Sequence, residues 1–333
     1  MTKVIDLGIG VLGTGKYVPS KVVTNEMLEQ LTGMPAQTIV EKIGIKTRYI
    51  AADHETASGM SAIAAKEAVK MAGISVADIG LIIVCGFTGD YIYPAMACKV
   101  QGLIGAKNAG AFDLMANCTG FQVGLGVASD RMSCDKEIKY ALVIGTALQS
   151  RYINWKDPNT AIYFGDGSGA AILGRVPVGY GVLSNEVFTN PKAFEAVRMR
   201  GGGSSHPLRP ENIKENLQYY EMNGIEVWKQ VIQYQPRTIR RSLEKVGKNT
   251  EDVDFFIFHQ ANLHLIKYLM AKMKQPMGKT YNNVDKIGNT ADASIAITLS
   301  DATRAELIKR GDIVVVSGVG AGFTFGSTVI RWY

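Results

Sequence analysis

The sequence predicts an α/β protein with two similar halves, and three observations lead to this prediction. Short apolar runs alternate with stretches of helical periodicity along the whole chain. The apolar runs are continuous, which is typical of strands buried on both faces of a sheet. In each half a strand leads directly into a helix at a chemically reactive residue, Cys118 in the first half and His259 in the second. We therefore expect a layered architecture in which the two halves share a topology without sharing sequence.

In the first half, helices are identified by apolar spacing and by their boundary residues. Thr24 has the hydroxyl expected of an N-cap, and Gly73 follows a segment whose small and apolar residues recur at helical spacing. Apolar runs of strand length separate the helices. The predicted strands are 4–11, 79–85, 111–115, 140–145 and 169–173, and the predicted helices are 25–31, 58–71, 94–103 and 119–132.

The second half repeats this order. The predicted strands are 253–259, 313–319 and 323–331, and the predicted helices are 221–246, 263–273 and 294–309. We expect the join near residues 174–179. The chain then divides into an N-terminal unit, 1–174, that carries Cys118, and a C-terminal unit, 175–333, that carries His259 and an asparagine.

Composition excludes several classes of protein. The 333 residues are 47% hydrophobic and 20% charged, the balance of a soluble globular protein. No apolar run approaches the roughly 20 residues that span a bilayer, so no membrane association is expected. The net charge of +6 comes from basic residues interspersed with acids, which gives no indication of nucleic-acid binding.

The termini and cysteines indicate a cytoplasmic protein. The first residues contain no apolar signal core, so we expect a cytoplasmic location. The four cysteines show neither CxxC nor Cys/His metal spacing, which predicts reduced thiols and no metal site.

Two glycine motifs near the N-terminus resemble nucleotide-binding loops. Gly8–Gly13 matches GxGxxG, and a P-loop-like pattern ends at Lys16. The first needs a helix, but the chain continues toward Pro19, and the second has Tyr17 where a magnesium-binding hydroxyl belongs. A glycine-rich turn is the better interpretation.

Cys118 is the candidate nucleophile. It follows a strand and precedes a helix rich in small residues, and a helix N-terminus lowers the pKa of a thiol. A thiolate accepts acyl groups readily near neutral pH. Position alone fits a small buried structural cysteine equally well.

A histidine and an asparagine are the candidate partners of this cysteine. His259 ends an apolar strand at the sheet edge where α/β proteins place ligands, although a buried structural histidine is the alternative. Asn289 lies in a turn before a helix, where an asparagine is most simply a cap and otherwise an amide donor.

Together these segments resemble the β-ketoacyl-acyl carrier protein synthase III family across nearly the whole chain. The matching motifs include Asp-Leu-Met-Ala-Asn-Cys-Thr-Gly-Phe at 113–121, Phe-Gly-Asp-Gly-Ser-Gly-Ala at 164–170, His-Gln-Ala-Asn at 259–262, Gly-Asn-Thr at 288–290 and Gly-Ala-Gly-Phe-Thr-Phe-Gly at 320–326. The resemblance implies the thiolase fold, two similar α/β halves in five αβαβα layers, and a homodimer. It also implies acyl-coenzyme A or acyl carrier protein thioesters as substrates, with no metal or redox cofactor.

The resemblance implies a role for each matching residue. Cys118 takes a primer acyl group, while His259 and Asn289 hold a malonyl thioester as carbon dioxide leaves. The alternative is an acyltransferase or thioester hydrolase that uses the cysteine without condensation. The remaining implied contacts are the backbone N–H groups of Cys118 and Gly322 for the oxyanion, Asn262 for the pantetheine arm, and Tyr93 and Phe323 for substrate.

The chain departs from the family at several positions, among them those that contact the adenine of coenzyme A and the carrier protein. The family usually has aromatic, arginine or asparagine residues there; this chain has Thr38, Lys42, Pro158, Ile225 and His264. Loss of the flat partners removes about 1–3 kcal/mol of stacking and cation–π stabilisation. Priming by acetyl-coenzyme A is therefore in doubt, and the sequence leaves the acyl donor open.

Overall fold

Two mixed β-sheets form the frame of the protein, seen in a computed structural model that describes residues 8–333. The strands are β1 (Gly8–Tyr17), β2 (Lys21–Thr24), β3 (Thr47–Ile50), β4 (Ile79–Cys85), β5 (Gly110–Leu114), β6 (Tyr140–Ala147), β7 (Gly167–Val176), β8 (Gly181–Thr189), β9 (Val197–Met199), β10 (Tyr220–Met222), β11 (Phe255–Phe258), β12 (Ile313–Gly320) and β13 (Thr324–Arg331). The helices are α1 (Asn25–Thr32), α2 (Ala36–Ile43), α3 (Ala57–Ala72), α4 (Met96–Ile104), α5 (Gly120–Cys134), α6 (Gly224–Glu244), α7 (Leu263–Lys272), α8 (Val284–Ile287) and α9 (Ala293–Arg304).

The two sheets have the same strand order. In the first, the order is β1-β7-β6-β4-β5, with β7 antiparallel to both neighbours and β4 parallel to both of its own. In the second, the order β8-β13-β12-β11 repeats this pattern, and a parallel bridge between Phe256 and Thr280 stands where a fifth strand would be. The first sheet ends at Val176 and the second begins at Gly181. The two halves therefore share one topology.

Helices complete five layers around these sheets. α3 and α4 pack on the outer face of the first sheet, and α6, with α7 beside it, packs on the outer face of the second. α5 and α9 lie between the sheets and contact strands of both. Three apolar clusters fill the spaces between the layers. Because α5 and α9 begin close to one another in this middle layer, residues preceding them from both halves can meet.

The segment interpreted as a glycine-rich turn is a strand, so that interpretation was wrong. β1 continues through the glycines to Tyr17, and residues 4–7 of the first predicted strand lie outside the described residues. The glycines serve close packing: a Cβ on Gly15 would lie 2.1 Å from the carbonyl oxygen of Ala64 in α3. No phosphate loop forms because the backbone is extended and covered by a helix.

Most predicted elements occur, with shifted ends and some omissions. The predicted helix 221–246 begins only at Gly224, because the Asn223 side chain caps it by accepting from the Glu226 backbone N–H. The prediction missed β8, whose burial alternates irregularly, as well as β2, β3, β9, β10, α2 and α8.

Within residues 8–333, none of the helices combines the length and apolar character that a membrane crossing requires. The cytoplasmic location stays a prediction.

Candidate active site

A mainly apolar cavity lies where the two halves meet, and it holds the three predicted catalytic residues. It contains about 680 Å³ of empty space, part of it open to solvent. Cys118, His259 and Asn289 all line it, although they are far apart in the chain. The other lining residues are Tyr163, Phe164, Val197, Met222, Gly224, Val227, Trp228, Val231, Ala261, Asn262, Leu265, Val319, Gly320, Ala321 and Phe323.

Cys118 is held in a tight turn just before α5. The preceding residue, Asn117, has a positive φ of 50°, and its side-chain amide donates to the carbonyl oxygen of Ala321 over 3.0 Å. The β12–β13 connection packs against the same turn, since a Cβ on Gly320 would lie 2.1 Å from the carbonyl oxygen of Ala116. Residues of the second half thus hold the turn in which the first half carries Cys118.

The pKa of the Cys118 thiol is raised, which contradicts the expectation from its place at a helix N-terminus. Burial among apolar walls is the main cause, and the carboxyl of Asp292 adds to it. The hydrogen bond from the backbone acts in the opposite direction but does not compensate. A helix N-terminus stabilises a thiolate only as far as desolvation permits. The raised pKa therefore favours the neutral thiol form of Cys118.

His259 follows β11 and is a buried, neutral imidazole. Burial lowers its pKa from 6.5 to about 3. Its Nδ1 lies 2.6 Å from the hydroxyl oxygen of Ser294 in α9, and the backbone N–H of Gln260 approaches that same oxygen at 3.4 Å. These contacts orient the ring and leave Nε2 as its other polar atom.

The side chain of Asn289 has its Oδ1 occupied, while its Nδ2 has no hydrogen-bond partner among residues 8–333. The side-chain oxygen accepts from the backbone N–H of Ala291 over 2.9 Å. The backbone is fixed as well, because its N–H donates to the carbonyl of Tyr163 and its own carbonyl accepts from Gly165 and the side chain of Gln149. Nδ2 is left as a preorganised donor in the wall of the cavity.

The other predicted site residues are only partly brought together. Asn262 lines the cavity and also caps α7, with its side-chain oxygen accepting from the Leu265 backbone N–H over 2.9 Å. Phe323 is buried in the wall, and its N–H donates to the carbonyl of Asn190. Gly322 belongs to the β12–β13 connection but does not itself line the cavity. Tyr93 lies outside the cavity and is 84% exposed.

Among the positions that depart from the family pattern, one makes a specific new contact. Thr38 and Lys42 lie on α2, and His264 lies on α7. The Nε2 of His264 is 2.8 Å from the carbonyl oxygen of Glu41, which joins these two helices. The His264 side chain is therefore held at the surface against the backbone of α2.

The sequence did not indicate two polar residues of this region. Ser294 orients His259, and Asp292 lies beside the turn that carries Cys118. Neither residue belongs to the motifs named above. The residues that they contact are distant in the sequence, so these contacts are visible only in the folded chain. Across residues 8–333, no three His, Cys, Asp or Glu side chains converge as metal ligands would.

Comparison with known proteins gives a consistent result over the whole chain. A family model described as 3-oxoacyl-[acyl-carrier-protein] synthase III matches residues 112–191, and its C-terminal counterpart matches residues 243–332. A β-ketoacyl-[acyl-carrier-protein] synthase III of Caldanaerobacter subterraneus subsp. tengcongensis is 40% identical over 98% of each chain.

Solved structures agree. The 3-oxoacyl-[acyl-carrier-protein] synthase III of Aquifex aeolicus is 34% identical, covering 98% of this chain and 100% of that one, with a TM-score of 0.89. The priming β-ketosynthase of the R1128 polyketide biosynthetic pathway is 27% identical, covering 98% of this chain and 96% of that one, with a TM-score of 0.91.

Proposed function

The chain belongs to the 3-oxoacyl-[acyl-carrier-protein] synthase III family, and on that premise we propose that Cys118 carries a primer acyl group that condenses with a malonyl thioester. The five αβαβα layers and the related structures confirm the thiolase fold. One observation carries the assignment of residues. The free amide of Asn289 and the neutral imidazole of His259 line the same cavity as Cys118.

In the first half-reaction, the sulfur of Cys118 attacks the carbonyl of the incoming acyl thioester. The thiol gives up its proton, the carbon–sulfur bond to the carrier breaks, and the carrier leaves as a thiol. The mainly apolar lining offers water few polar partners, which disfavours hydrolysis of the new acyl-enzyme. As the family resemblance implies, the backbone N–H of Cys118 donates to the carbonyl oxygen on which negative charge develops.

In the second half-reaction, Asn289 and His259 act as neutral donors. Nδ2 of Asn289 and Nε2 of His259 bind the malonyl thioester carbonyl, and negative charge develops on that oxygen as carbon dioxide leaves. The enolate then attacks the acyl group on Cys118 and releases the thiolate with a 3-oxoacyl thioester. A hydroxyl of Ser294 that donates to Nδ1 would keep the proton on Nε2, the tautomer that this step requires.

The pair of neutral donors favours condensation over simple acyl transfer. Transfer to water, a hydroxyl or an amine requires a base, whereas the pKa of His259 is lowered to about 3 and Asn289 cannot accept a proton. The Oδ1 of Asn289 already accepts a hydrogen bond from Ala291, so this side chain would be a poor acceptor for the nucleophile of an acyltransferase or hydrolase.

The acyl donor is held mainly through its pantetheine arm and acyl chain. Asn262 and a mainly apolar wall line the cavity, while Thr38 and Pro158 stand at the positions where the family contacts the adenine. A carrier-bound acyl group, or an acyl-coenzyme A that does not depend on adenine stacking, suits this lining. Both fatty acid initiation and a related biosynthetic pathway agree with such a donor.

A homodimer is the assembly that best fits the surface. β5 is the last strand of its sheet and pairs only with β4, so its outer edge is open within the described chain. Phe112 and Met115 are exposed beside it, and the loop before α4 exposes Tyr91, Ile92 and Tyr93. An open edge flanked by exposed apolar side chains is a pairing surface. A second copy placed along β5 would cover it and bring Tyr93 against a neighbouring subunit, as the resemblance implies.

Mass spectrometry of the products tests the function. Purified protein is incubated with acyl-coenzyme A and acyl carrier protein donors, first alone and then with a malonyl thioester. We expect an acyl adduct on Cys118 and then a 3-oxoacyl thioester two carbons longer than the donor. An ester, an amide or a free acid whose formation does not depend on the malonyl thioester would contradict condensation and support the alternative.

A further inference from the structure

Asp292 is a buried carboxyl that none of the steps above uses. It immediately precedes α9, three residues after Asn289 and two before Ser294. Its side chain has no solvent exposure, and neither carboxylate oxygen has a hydrogen-bond partner within residues 8–333. By contrast, the buried carboxyl of Asp166 accepts hydrogen bonds from Ala51, Gln149 and Ser150. An unpaired buried carboxyl lowers stability, so its presence beside a reaction centre calls for a functional explanation.

The carboxyl lies beneath the turn that carries the nucleophile. A Cβ on Gly120, the first residue of α5, would be 2.7 Å from the Oδ1 of Asp292 and 3.2 Å from the Cβ of Cys85. Gly120 is only two residues beyond Cys118. Asp292 does not line the cavity, so it reaches no substrate and can act only through the nucleophile.

The titratable groups that face Asp292 are acids without a compensating cation. They are Cys118 before α5, Cys85 on β4 and Tyr220 on β10; burial raises the pKa of each, and the charge of Asp292 adds to that effect. His259, on the strand beside α9, is neutral because burial lowers its pKa to about 3. Burial raises the pKa of Asp292 itself to about 7, and in the described chain no Lys or Arg offsets this.

We propose that Asp292 is a positioning residue that shares one negative charge with Cys118, so that the thiolate forms readily only while Asp292 is protonated. Two anions packed against the same helix start in a poorly solvated interior repel each other, and ionisation of one suppresses ionisation of the other. At neutral and higher pH the charge resides on Asp292, and Cys118 remains a thiol with little reactivity toward incidental electrophiles. The inference rests on the proposed role of Cys118 as acyl acceptor.

Alkylation of Cys118 by iodoacetamide across a range of pH tests the coupling without any thioester. Peptide mapping separates Cys118 from the exposed Cys98 and Cys134. In the unaltered protein, the logarithm of the Cys118 rate should rise with pH and flatten above the pKa of Asp292, since further deprotonation then adds a second charge to the pair. Asp292→Asn should remove the break and raise the rate near pH 8 by about tenfold or more, the effect of lowering a thiol pKa by a unit.

Asp301→Asn is the matched control. Asp301 lies on α9 as well, but it pairs with Lys16 and accepts from Asn283, away from the nucleophile. Its replacement should leave the Cys118 profile unchanged.

Other outcomes overturn the proposal. If folded Asp292→Asn is alkylated more slowly, the carboxylate assists the thiol by accepting its proton, which is the opposite of the proposal. If the pH profile of the variant is unchanged, Asp292 and Cys118 are not coupled. If circular dichroism shows that the variant does not fold, the pH profile of the unaltered protein tests the proposal by itself. An alkylation rate that rises with pH without a break near pH 7 would contradict charge sharing. Failure of the proposed function would appear separately, as a lack of malonyl-dependent product with the alkylation profile intact.

Discussion

The Nδ1 of His259 and the hydroxyl oxygen of Ser294 are 2.6 Å apart, which joins the end of β11 to the first turn of α9. The contact orients the imidazole ring, and a Ser294 hydroxyl that donates in it keeps the proton on Nε2. Asn289 lies in the turn just before α9 and Ser294 in its first turn, so one short segment carries Asn289 and the side chain that orients His259. Two of the following predictions test this arrangement.

Ser294→Ala should slow decarboxylation more than acylation. Without the hydroxyl, His259 can adopt either tautomer and its ring is less constrained, so the proton on Nε2 is no longer assured. We expect malonyl-dependent release of carbon dioxide to fall by about tenfold or more, the lower range for a positioned proton donor. Acylation of Cys118, followed by intact mass, should change little.

Ser300→Ala is its control, because Ser300 is also a buried serine of α9, and its hydroxyl accepts from the Nε of Arg304 rather than contacting His259. Equal loss in both variants would mean that α9 packing rather than the contact with His259 is responsible.

Asn289→Asp should abolish decarboxylation while Cys118 still accepts an acyl group. The substitution keeps the shape of the side chain but replaces the donor with an acid, which repels the developing enolate. Loss of one oxyanion donor costs about 10²–10³ in rate. Radiolabelled carbon dioxide release gives the rate, and intact mass gives the acyl-enzyme. The exposed Asn159→Asp adds the same charge elsewhere and should retain activity; a decarboxylating Asn289→Asp would remove Asn289 from the mechanism.

Sequence reasoning selected Cys118, His259 and Asn289 as candidates, and the structure places all three in one cavity, but it misjudged their surroundings. Cys118, His259 and Asn289 were found because each stands in a motif at a strand or turn end, and such positions follow from local pattern. The pKa of Cys118 was predicted in the wrong direction, because the helix N-terminus is a local feature whereas desolvation and Asp292 come from the assembled fold.

The fold shows the same division between local and distant causes. β4 spans residues 79–85 as predicted, since its apolar run is continuous and buried on both faces. β8 was missed because its core-facing residues do not follow a regular alternation, and its place in the sheet depends on pairing with β13. Gly15 was assigned to a turn because its role, close contact with α3, is invisible without the partner helix.

Gly320→Ala should impair acylation of Cys118 through the backbone. The added Cβ would lie 2.1 Å from the carbonyl oxygen of Ala116, so the β12–β13 connection must move away from the nucleophile turn. We expect slower acylation together with a lower melting temperature. Gly102→Ala is the matched control, because its Cβ meets nothing within 4 Å and alanine favours a helix. Full acylation by Gly320→Ala would show that this contact does not position Cys118.

A charged residue introduced at the outer edge of β5 should dissociate the proposed homodimer. Met115→Lys places a cation on an exposed apolar residue directly after β5, and desolvating it in an interface is costly. In analytical ultracentrifugation, the unaltered protein should sediment as a dimer and the Met115→Lys variant as a monomer. Val178→Lys, at an exposed residue between β7 and β8, should leave the dimer intact. A monomeric unaltered protein, or a Met115→Lys variant that remains dimeric, would contradict this surface.

The stability of the protein should depend on pH through Asp292, and the direction follows from its pKa. Burial raises that pKa from 3.8 to about 7, so the folded state binds the proton more tightly than the unfolded chain does. The free energy of unfolding of the unaltered protein therefore gains a contribution from Asp292 as pH falls from about 7 toward 4, and loses it as pH rises through 7. His259 acts in the opposite direction below its unfolded pKa of 6.5, because burial lowers its folded pKa to about 3.

Comparison with Asp292→Asn isolates the carboxyl, since both proteins keep the histidine. The variant should be more stable than the unaltered protein at pH 8, by as much as ~4 kcal/mol, and this advantage should shrink as pH falls toward 4. Urea unfolding at several pH values, with Asp301→Asn as control, measures the difference. A difference that stays constant from pH 8 to 4 would mean that Asp292 titrates alike in the folded and unfolded states, and therefore that its carboxyl is not held in the desolvated place beneath Cys118.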